Sequence, residues 1–238
     1  LAELDEVLRR AVDDYDFHTI ATELHNFCAV DLSAFYFDVR KDAIYCDAVS
    51  SRRRRAARTV MAEVFSFLTA WLAPITCFTA EEAWLARSKD MPDGAADSVH
   101  LRVYPAIPPA WLDAALGAKW KTVRALRRVV TGALELERAE KRIGSSLQAA
   151  PLVHAAPEYL AALKDLDLSE ICITSGGELV AGVAPAGAFT LPDVAGVAVV
   201  PRPAHGDKCA RCWQVLEEVG SSAAHPLICK RCEEVVTA

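Results

Sequence analysis

Two short cysteine motifs near the end of the chain decide how its last segment folds: Cys209-Ala-Arg-Cys212 and, after residues 213–228, Cys229-Lys-Arg-Cys232. A two-residue spacer lets both thiolates of one motif reach the same metal ion, and two motifs together supply four ligands. Four sulfur ligands close a tetrahedral shell and leave no position for a reactive water molecule, which predicts one structural zinc ion. The predicted ligands are Cys209, Cys212, Cys229 and Cys232.

Two other interpretations of these motifs stay open. Cysteines separated by two residues also form redox pairs, but such pairs usually lie in a βαβ unit, which the surrounding sequence does not indicate. Iron also binds four thiolates, although zinc is favoured for a protein of the aerobic cytosol. The tail from 203 to 238 is too short to build a stable core alone, so metal binding should supply much of its folding free energy.

The composition is that of a folded protein whose thiols are kept reduced. The chain has 238 residues, of which 53% are hydrophobic and 24% are charged, so it is too apolar to be disordered. Its eight cysteines would suit a disulfide scaffold only in a small secreted protein, and its first ten residues form no signal peptide. We therefore expect a cytoplasmic protein. Because the chain begins with Leu1, we also expect it to be a piece of a longer one.

The longest uncharged run, residues 64–80, does not predict a membrane span. It is interrupted by Pro74, it contains hydroxyl side chains, and it is shorter than the roughly 20 apolar residues that a span requires. We interpret it as part of a buried helix and expect no membrane partner.

Hydrophobic periodicity predicts a mainly α-helical chain with a small α+β segment before the cysteine tail. Residues 57–72 form a strong amphipathic pattern that should end near Pro74. Residues 111–143 form the longest pattern, with Gly144 as its C-terminal cap. Further helices are predicted over 4–15, over 17–28 with Asp16 as N-cap, from a capping box at Thr79 and Glu82, and over 156–166. Strands are predicted at 151–154, 171–174 and 194–200.

Positive charge is concentrated in two segments, although the chain as a whole carries −6. Residues 40–58 hold seven basic and two acidic side chains, and residues 119–142 hold eight and three, so each segment carries +5 and the rest of the chain −16. Two basic stripes on an acidic background are typical of a polyanion site. A solvated helix face is the alternative. The candidates for phosphate contact are Arg40, Lys41, Arg52, Arg54, Arg55 and Arg58.

The first cysteine motif also carries residues suited to nucleic acid. Arg211 lies inside it and Trp213 directly follows it. Unpaired bases stack on aromatic rings or on guanidinium planes, so both side chains are candidates for base contacts. Packing of Trp213 over the metal site is the alternative.

No motif predicts catalysis. The sequence contains no Gly-x-x-x-x-Gly-Lys-Ser/Thr loop, no Gly-x-Gly-x-x-Gly and no His-Glu-x-x-His, and its six histidines are scattered. The sequence motifs therefore predict a binding function and no catalytic site.

Several stretches form a recognisable combination over about residues 15 to 235. They are Phe27-Cys-Ala-Val-Asp-Leu-Ser-Ala-Phe-Tyr-Phe-Asp38, Arg40-Lys-Asp42, Tyr45-Cys-Asp47, Trp71-Leu-Ala-Pro-Ile75, Phe78-Thr-Ala-Glu-Glu-Ala-Trp84, Glu140-Lys-Arg-Ile-Gly-Ser-Ser-Leu147 and Lys208-Cys-Ala-Arg-Cys-Trp213. This combination resembles the isoleucyl-tRNA synthetase family of bacteria. The related leucyl and valyl enzymes share the helical part and not this zinc tail.

The resemblance implies a C-terminal fragment of a class I aminoacyl-tRNA synthetase. Its expected fold is a helical bundle anticodon-binding domain over 1–147, a small α+β junction domain over 148–202 and a four-cysteine zinc finger over 203–238. The intact enzyme is a ligase that joins isoleucine to its tRNA with ATP. Its signatures His-x-Gly-His and Lys-Met-Ser-Lys-Ser are absent here, as is the editing domain. The resemblance therefore assigns no catalytic residue to this chain and predicts that it is inactive alone.

The resemblance also implies tRNA(Ile) as the partner and a monomeric state. Carried onto this sequence, it gives Arg211 and Trp213 as base contacts. The same basic residues as above serve as backbone contacts, namely Arg40, Lys41, Arg52, Arg54, Arg55 and Arg58.

Two other functions were weighed. A stand-alone zinc-ribbon module that binds nucleic acid or protein would explain the tail and the basic segments equally well. A DNA glycosylase shares the finger, but it needs an N-terminal proline nucleophile that Leu1-Ala2-Glu3 does not provide.

Overall fold

The computed structural model describes residues 1–88 and 97–237, and its contacts divide the chain into two compact units. The first unit combines Leu1–Arg40 with Val49–Leu112, and the second combines Lys41–Ala48 with Asp113–Ala238. Each unit has hydrophobic clusters of its own.

Helices form the first unit. They are α1 (Ala2–Asp13), α2 (Phe17–Asn26), a π-helical stretch (Phe27–Phe37), the start of α3 (Asp38–Cys46), α4 (Arg52–Leu72) and α5 (Cys77–Ser88), followed by 3₁₀ turns at Val99–Leu101 and Pro109–Trp111. Leu8 of α1, Leu24 of α2 and Trp71 of α4 are buried together in its core. The π-helical stretch is largely apolar and has no polar face opposite an apolar one, so the sequence showed no helical stripe there, yet it joins α2 to α3 without a break.

Local sequence explains where two of these helices begin and one ends. The Asp16 carboxylate accepts a hydrogen bond from Thr19 N at 3.0 Å, so the predicted N-cap of α2 is confirmed. Ser51 caps α4 in the same way. That helix ends at Leu72, just before Pro74, as the sequence predicts.

The capping box predicted at Thr79 and Glu82 is wrong. Helix α5 begins at Cys77, and Ala80 N donates to Thr76 O at 2.8 Å. The first turn of the helix is therefore already formed where the box would have had to start it.

The second unit is a long helix on a small mixed sheet, with the cysteine tail after it. Its elements are α6 (Ala114–Ala139), a 3₁₀ turn (Ser146–Gln148), β1 (Leu152–Ala155), α7 (Pro157–Leu163), α8 (Leu168–Cys172), β2 (Glu178–Val180), β3 (Phe189–Leu191), β4 (Val194–Val200), β5 (Asp207–Lys208), β6 (Val215–Leu216) and α9 (Lys230–Thr237). The larger sheet has the order β2-β1-β4-β3, in which β1 and β2 are parallel and the other pairs antiparallel. Strands β5 and β6 form a separate antiparallel hairpin.

Helix α6 packs its apolar face on this sheet. Val130 of the helix shares a fully buried cluster with Val153 of β1 and Val199 of β4. The approach is close at Gly132, where an added Cβ would lie 2.9 Å from the Phe189 ring. The helix that the sequence analysis placed with the first helices thus forms the core of the second unit.

The predicted limits of α6 require correction at both ends. It starts at Ala114, because the Asp113 side chain accepts from Leu116 N at 2.8 Å and caps it. It ends at Ala139, and Lys141 takes the left-handed conformation at φ 59°. Gly144 is therefore not the cap of this helix.

One predicted strand is also wrong. Residues 151–154 and 194–200 overlap β1 and β4, but residues 171–174 belong to α8 and the turn that ends it. The Asp167 carboxylate caps this helix through Ser169 N and Glu170 N, and Ile173 is left-handed at its end. The cap outweighs the β-propensity of the isoleucines.

The predicted fold class is confirmed: the chain is mainly α-helical, with a small mixed sheet and a four-cysteine cluster. The boundaries after residues 147 and 202 stay predictions. Across residues 1–88 and 97–237, no helix combines the length and the apolar character that crossing a membrane requires.

The packing of α6 in the core of the second unit predicts how strongly one side-chain truncation destabilises the fold. Leu126 of α6 is fully buried, so Leu126→Ala should lower the free energy of unfolding by about 2–5 kcal/mol through the cavity it leaves. Leu116→Ala on the same helix removes a half-exposed side chain and should cost less than about 0.5 kcal/mol. Urea unfolding of both variants measures this difference, and equal losses would contradict the packing of α6.

Candidate metal centre and nucleic-acid interface

The four cysteines of the two motifs are brought together in the tail. The turn between β5 and β6 carries Cys209 and Cys212. Cys229 directly precedes α9, and Cys232 lies in its first turn. Their Sγ atoms all lie within 4.8 Å of one another, and all four residues are buried. The Sγ atoms of Cys212 and Cys229 are 3.8 Å apart, which is about the edge of a tetrahedron with 2.3 Å zinc–sulfur bonds.

The protein alone favours the thiolate at one of these sulfurs and opposes it at two others. Burial raises the pKa of Cys209, but amide donors from Cys212, Cys229 and Arg211 outweigh it, and that pKa falls to about 6. Burial raises the pKa of Cys212 and raises that of Cys232 to about 11. Because closely packed buried thiolates repel one another, a divalent cation among them offsets this penalty, and the donor set fits zinc.

Arg211 uses its guanidinium inside the second unit. Nη1 donates to Cys46 O at 2.6 Å and Nη2 to Tyr45 O at 3.2 Å, while Nη1 also lies 3.6 Å from the Cys232 sulfur. Tyr45 and Cys46 are the last residues of α3, whose carbonyls have no partner within the helix. Arg211 therefore caps α3 and holds it against the metal site.

Arg231, from the second motif, makes a bidentate pair with α3. Its Nη1 and Nη2 lie 2.5 Å and 2.7 Å from the two carboxylate oxygens of Asp42, and Nη1 is 3.4 Å from Asp47. The hydrogen bonds that Arg231 donates to the Asp42 carboxylate raise the pKa of Arg231 above its ordinary value. The sequence analysis missed both acids as partners, because 189 residues separate Asp42 from Arg231 and no local pattern relates them.

The predicted nucleic-acid contacts are divided between the two units. Arg40 and the arginines at 52–58 lie in the first, and Lys41, Arg211 and Trp213 in the second. Exposed side chains belong to Lys41, Arg52, Arg55, Arg58 and Trp213. Half-buried side chains belong to Arg40, Arg54 and Arg211.

The start of α4 and the ring of Trp213 have features that suit polyanion binding. Arg52 and Arg55 lie in the first turns of α4, where positive charge opposes the helix dipole, so helix stability does not explain them. Trp213 is 60% exposed, with Lys208 Nζ 5.4 Å from its ring centroid. Its backbone is left-handed at φ 68°.

Arginines of the second basic segment, residues 119–142, make contacts within the second unit. Its arginines pair with acidic side chains or a carbonyl: Arg127 with Ile171 O, Arg128 with Asp193, Arg138 with Glu135, and Arg142 with Glu137. These arginines are therefore committed to contacts within the second unit, although Asp193 is the only acid named here that lies outside the segment and lowers its net charge.

Metal removal should loosen the tail and leave the rest folded. We expect the chain to hold about one zinc ion, and a chelator or Cys209→Ala should make residues 203–237 sensitive to protease. Cys77→Ala, which removes an exposed thiol outside the cluster, should keep the metal. Metal analysis and limited proteolysis measure both effects, and unchanged resistance after chelation would contradict a structural metal.

The Asp42–Arg231 pair should be coupled more strongly than a surface ion pair. A double-mutant cycle with alanine at both positions should give about 1 kcal/mol, because both side chains are about two-thirds buried and the pair is bidentate. The exposed pair Arg128–Asp193 serves as the control and should give less than about 0.5 kcal/mol. Native-state proteolysis measures both coupling energies.

Comparison with known proteins gives two family matches and a consistent set of relatives. The family model described as the zinc finger found in FPG and IleRS matches residues 206–235, which include all four cysteines. Together with the cysteine cluster, this match supports a structural zinc ion.

The relatives are isoleucine–tRNA ligases. Those of Brucella abortus (strain 9-941), Agrobacterium fabrum and Mesorhizobium japonicum are 54%, 52% and 51% identical to 97% of this chain. The matched part is 23%, 24% and 23% of these relatives, so the chain spans about a quarter of their length. A second family model, the anticodon-binding domain of tRNA ligase, matches residues 1–153. With the larger part of its residues matched by this model, the chain belongs to the family of anticodon-binding domains of tRNA ligases.

Proposed function

We propose that this chain is the tRNA-docking region of an isoleucine–tRNA ligase and that it recognises the anticodon of tRNA(Ile). The observation that carries the proposal is the joint match of an anticodon-binding domain over residues 1–153 and a zinc finger over residues 206–235 in one chain. The relatives that share 97% of this chain are named isoleucine–tRNA ligase.

The proposed organisation follows the sequence analysis. Residues 1–147 form the anticodon-binding domain, 148–202 the junction domain and 203–238 the zinc finger, and the limits of the two family matches support these boundaries. Cys209, Cys212, Cys229 and Cys232 hold the zinc ion. The intact enzyme joins isoleucine to tRNA(Ile) with ATP, as a monomer in the cytoplasm, and this chain alone makes no aminoacyl-adenylate.

The proposed contacts combine phosphate binding with base stacking. Arg52, Arg55 and Arg58 at the start of α4 bind backbone phosphates, supported by their exposure and by the unfavourable helix dipole there. Trp213 stacks on an anticodon base, supported by its exposed ring. Arg211 contributes through the donors that Tyr45, Cys46 and Cys232 leave unused. The remaining proposed backbone contacts are Arg40, Lys41 and Arg54.

Binding to matched tRNAs tests the proposal. The zinc-loaded chain should bind tRNA with an isoleucine anticodon at least about tenfold more tightly than the same tRNA with an exchanged anticodon, and more weakly as salt rises. Arg55→Ala should reduce the slope of log affinity against log salt by about 0.7–0.9. Arg142→Ala, whose guanidinium pairs with Glu137, is the control and should leave the slope unchanged.

Equal binding to both tRNAs would contradict anticodon recognition. Salt-insensitive or absent binding would instead favour the second candidate, a zinc-ribbon module that contacts a protein.

A further inference from the structure

Two exposed aromatic residues adjoin the first cysteine motif through their main chains. Tyr45, the next-to-last residue of α3, is 72% exposed, and Trp213, directly after the motif, is 60% exposed. Every nucleobase has an aromatic face, so rings in this setting bind single-stranded nucleic acid by stacking. Trp213 belongs to the proposed contacts, whereas Tyr45 has been given no contact so far.

Arg211 links the main chain of Tyr45 to this motif. Its Nη2 donates to Tyr45 O at 3.2 Å and its Nη1 to Cys46 O at 2.6 Å. In return, the Cys46 thiol contacts Arg211 O at 3.9 Å. The end of α3 is thus held against the motif at both the side chain and the main chain of Arg211, two residues before Trp213.

Each aromatic ring has a lysine neighbour. Lys41 lies one helical turn before Tyr45 on α3, so the two exposed side chains share a face of that helix. Lys208 Nζ lies 5.4 Å from the ring centroid of Trp213. A ring beside an ammonium group offers a stacking face for a base and a partner for the phosphate next to it.

Two acids near the end of α3, Asp42 within it and Asp47 just after it, do not oppose an anionic ligand with their full charge. Asp42 and Asp47 both lie within 3.5 Å of the guanidinium of Arg231, which offsets their negative charge. Phosphates that approach Lys41 therefore meet less repulsion than the sequence of α3 suggests.

We propose that Tyr45 is a second base-stacking residue and that Lys41, Tyr45, Lys208 and Trp213 form one surface for unpaired RNA, called here the tyrosine–tryptophan surface. Arg211 is its positioning residue, because it fixes the end of α3 that carries Tyr45. The inference rests on the proposed function and extends it: the ligand is the single-stranded loop of the tRNA, with one base on each ring and the adjoining phosphates on the two lysines.

The test measures the dissociation constant of the zinc-loaded 238-residue chain for fluorescein-labelled tRNA with an isoleucine anticodon, at two salt concentrations. Tyr45→Ala should raise it about 5- to 100-fold, as loss of one stacked base does. Tyr45→Phe keeps the ring and should stay within about twofold. Tyr15→Ala removes a tyrosine of similar exposure in the first unit and should change nothing. Lys208→Ala should lower the salt slope by about 0.7.

A measurement of tRNA binding together with zinc content distinguishes a positioning role of Arg211 from a merely structural one. Arg211→Ala should weaken binding at least as much as Tyr45→Ala, at unchanged zinc content, because it removes the contact of Arg211 itself and displaces Tyr45. Adding Tyr45→Ala to Arg211→Ala should then weaken binding by less than about twofold more, since the contact of Tyr45 is already lost. Additive losses would overturn the positioning role.

The remaining outcomes separate this inference from the proposed function. If Trp213→Ala weakens binding and Tyr45→Ala does not, the tyrosine–tryptophan surface is wrong while anticodon recognition stands. If the unmodified chain binds no tRNA, both proposals fail.

Discussion

The packing of four sulfurs into one small volume is the constraint on which the end of the second unit depends. Beside the cysteines, this part of the chain buries little: Val219 is buried, and Leu216 and Ile228 are partly so. A cluster of that size cannot offset the conformational entropy of ordering the tail. Zinc binding would supply the missing folding free energy, because the ion would compensate the thiolate charges and connect the β5–β6 turn to the start of α9.

The metal site also organises the segment at 41–48 through two arginines from the motifs themselves. Arg211 gives its hydrogen bonds to the last carbonyls of α3, where the helix dipole favours positive charge. Arg231 pairs with Asp42 on the same helix. A zinc ion with four thiolates carries a net charge of about −2, so both guanidiniums also stabilise the sulfurs. The residues between the cysteines are thus parts of the metal site as much as candidates for RNA contact.

Basic residues serve different purposes in different segments. On α6, Arg127 donates to Ile171 O and Arg128 pairs with Asp193, so these two arginines link the helix to α8 and to the turn before β4. At the start of α4, Arg52 and Arg55 are exposed at the helix end where positive charge is unfavourable. The physical difference supports phosphate binding at the second location and not at the first, although both segments carry the same net charge.

Local spacing and the conformational limits of single residues were enough to predict the helical character, the cap at Asp16, the end of α4 before Pro74 and the four-cysteine cluster. Local signals failed at Gly144 and at residues 171–174, where Lys141 took the left-handed turn and Asp167 capped a helix. The packing of α6 on the sheet, the pairing of Arg231 with Asp42 and the contact of Arg211 with Tyr45 O became visible in the folded chain alone. These contacts join positions far apart in the chain, and no periodicity or motif encodes which distant carboxylate or carbonyl a guanidinium will find.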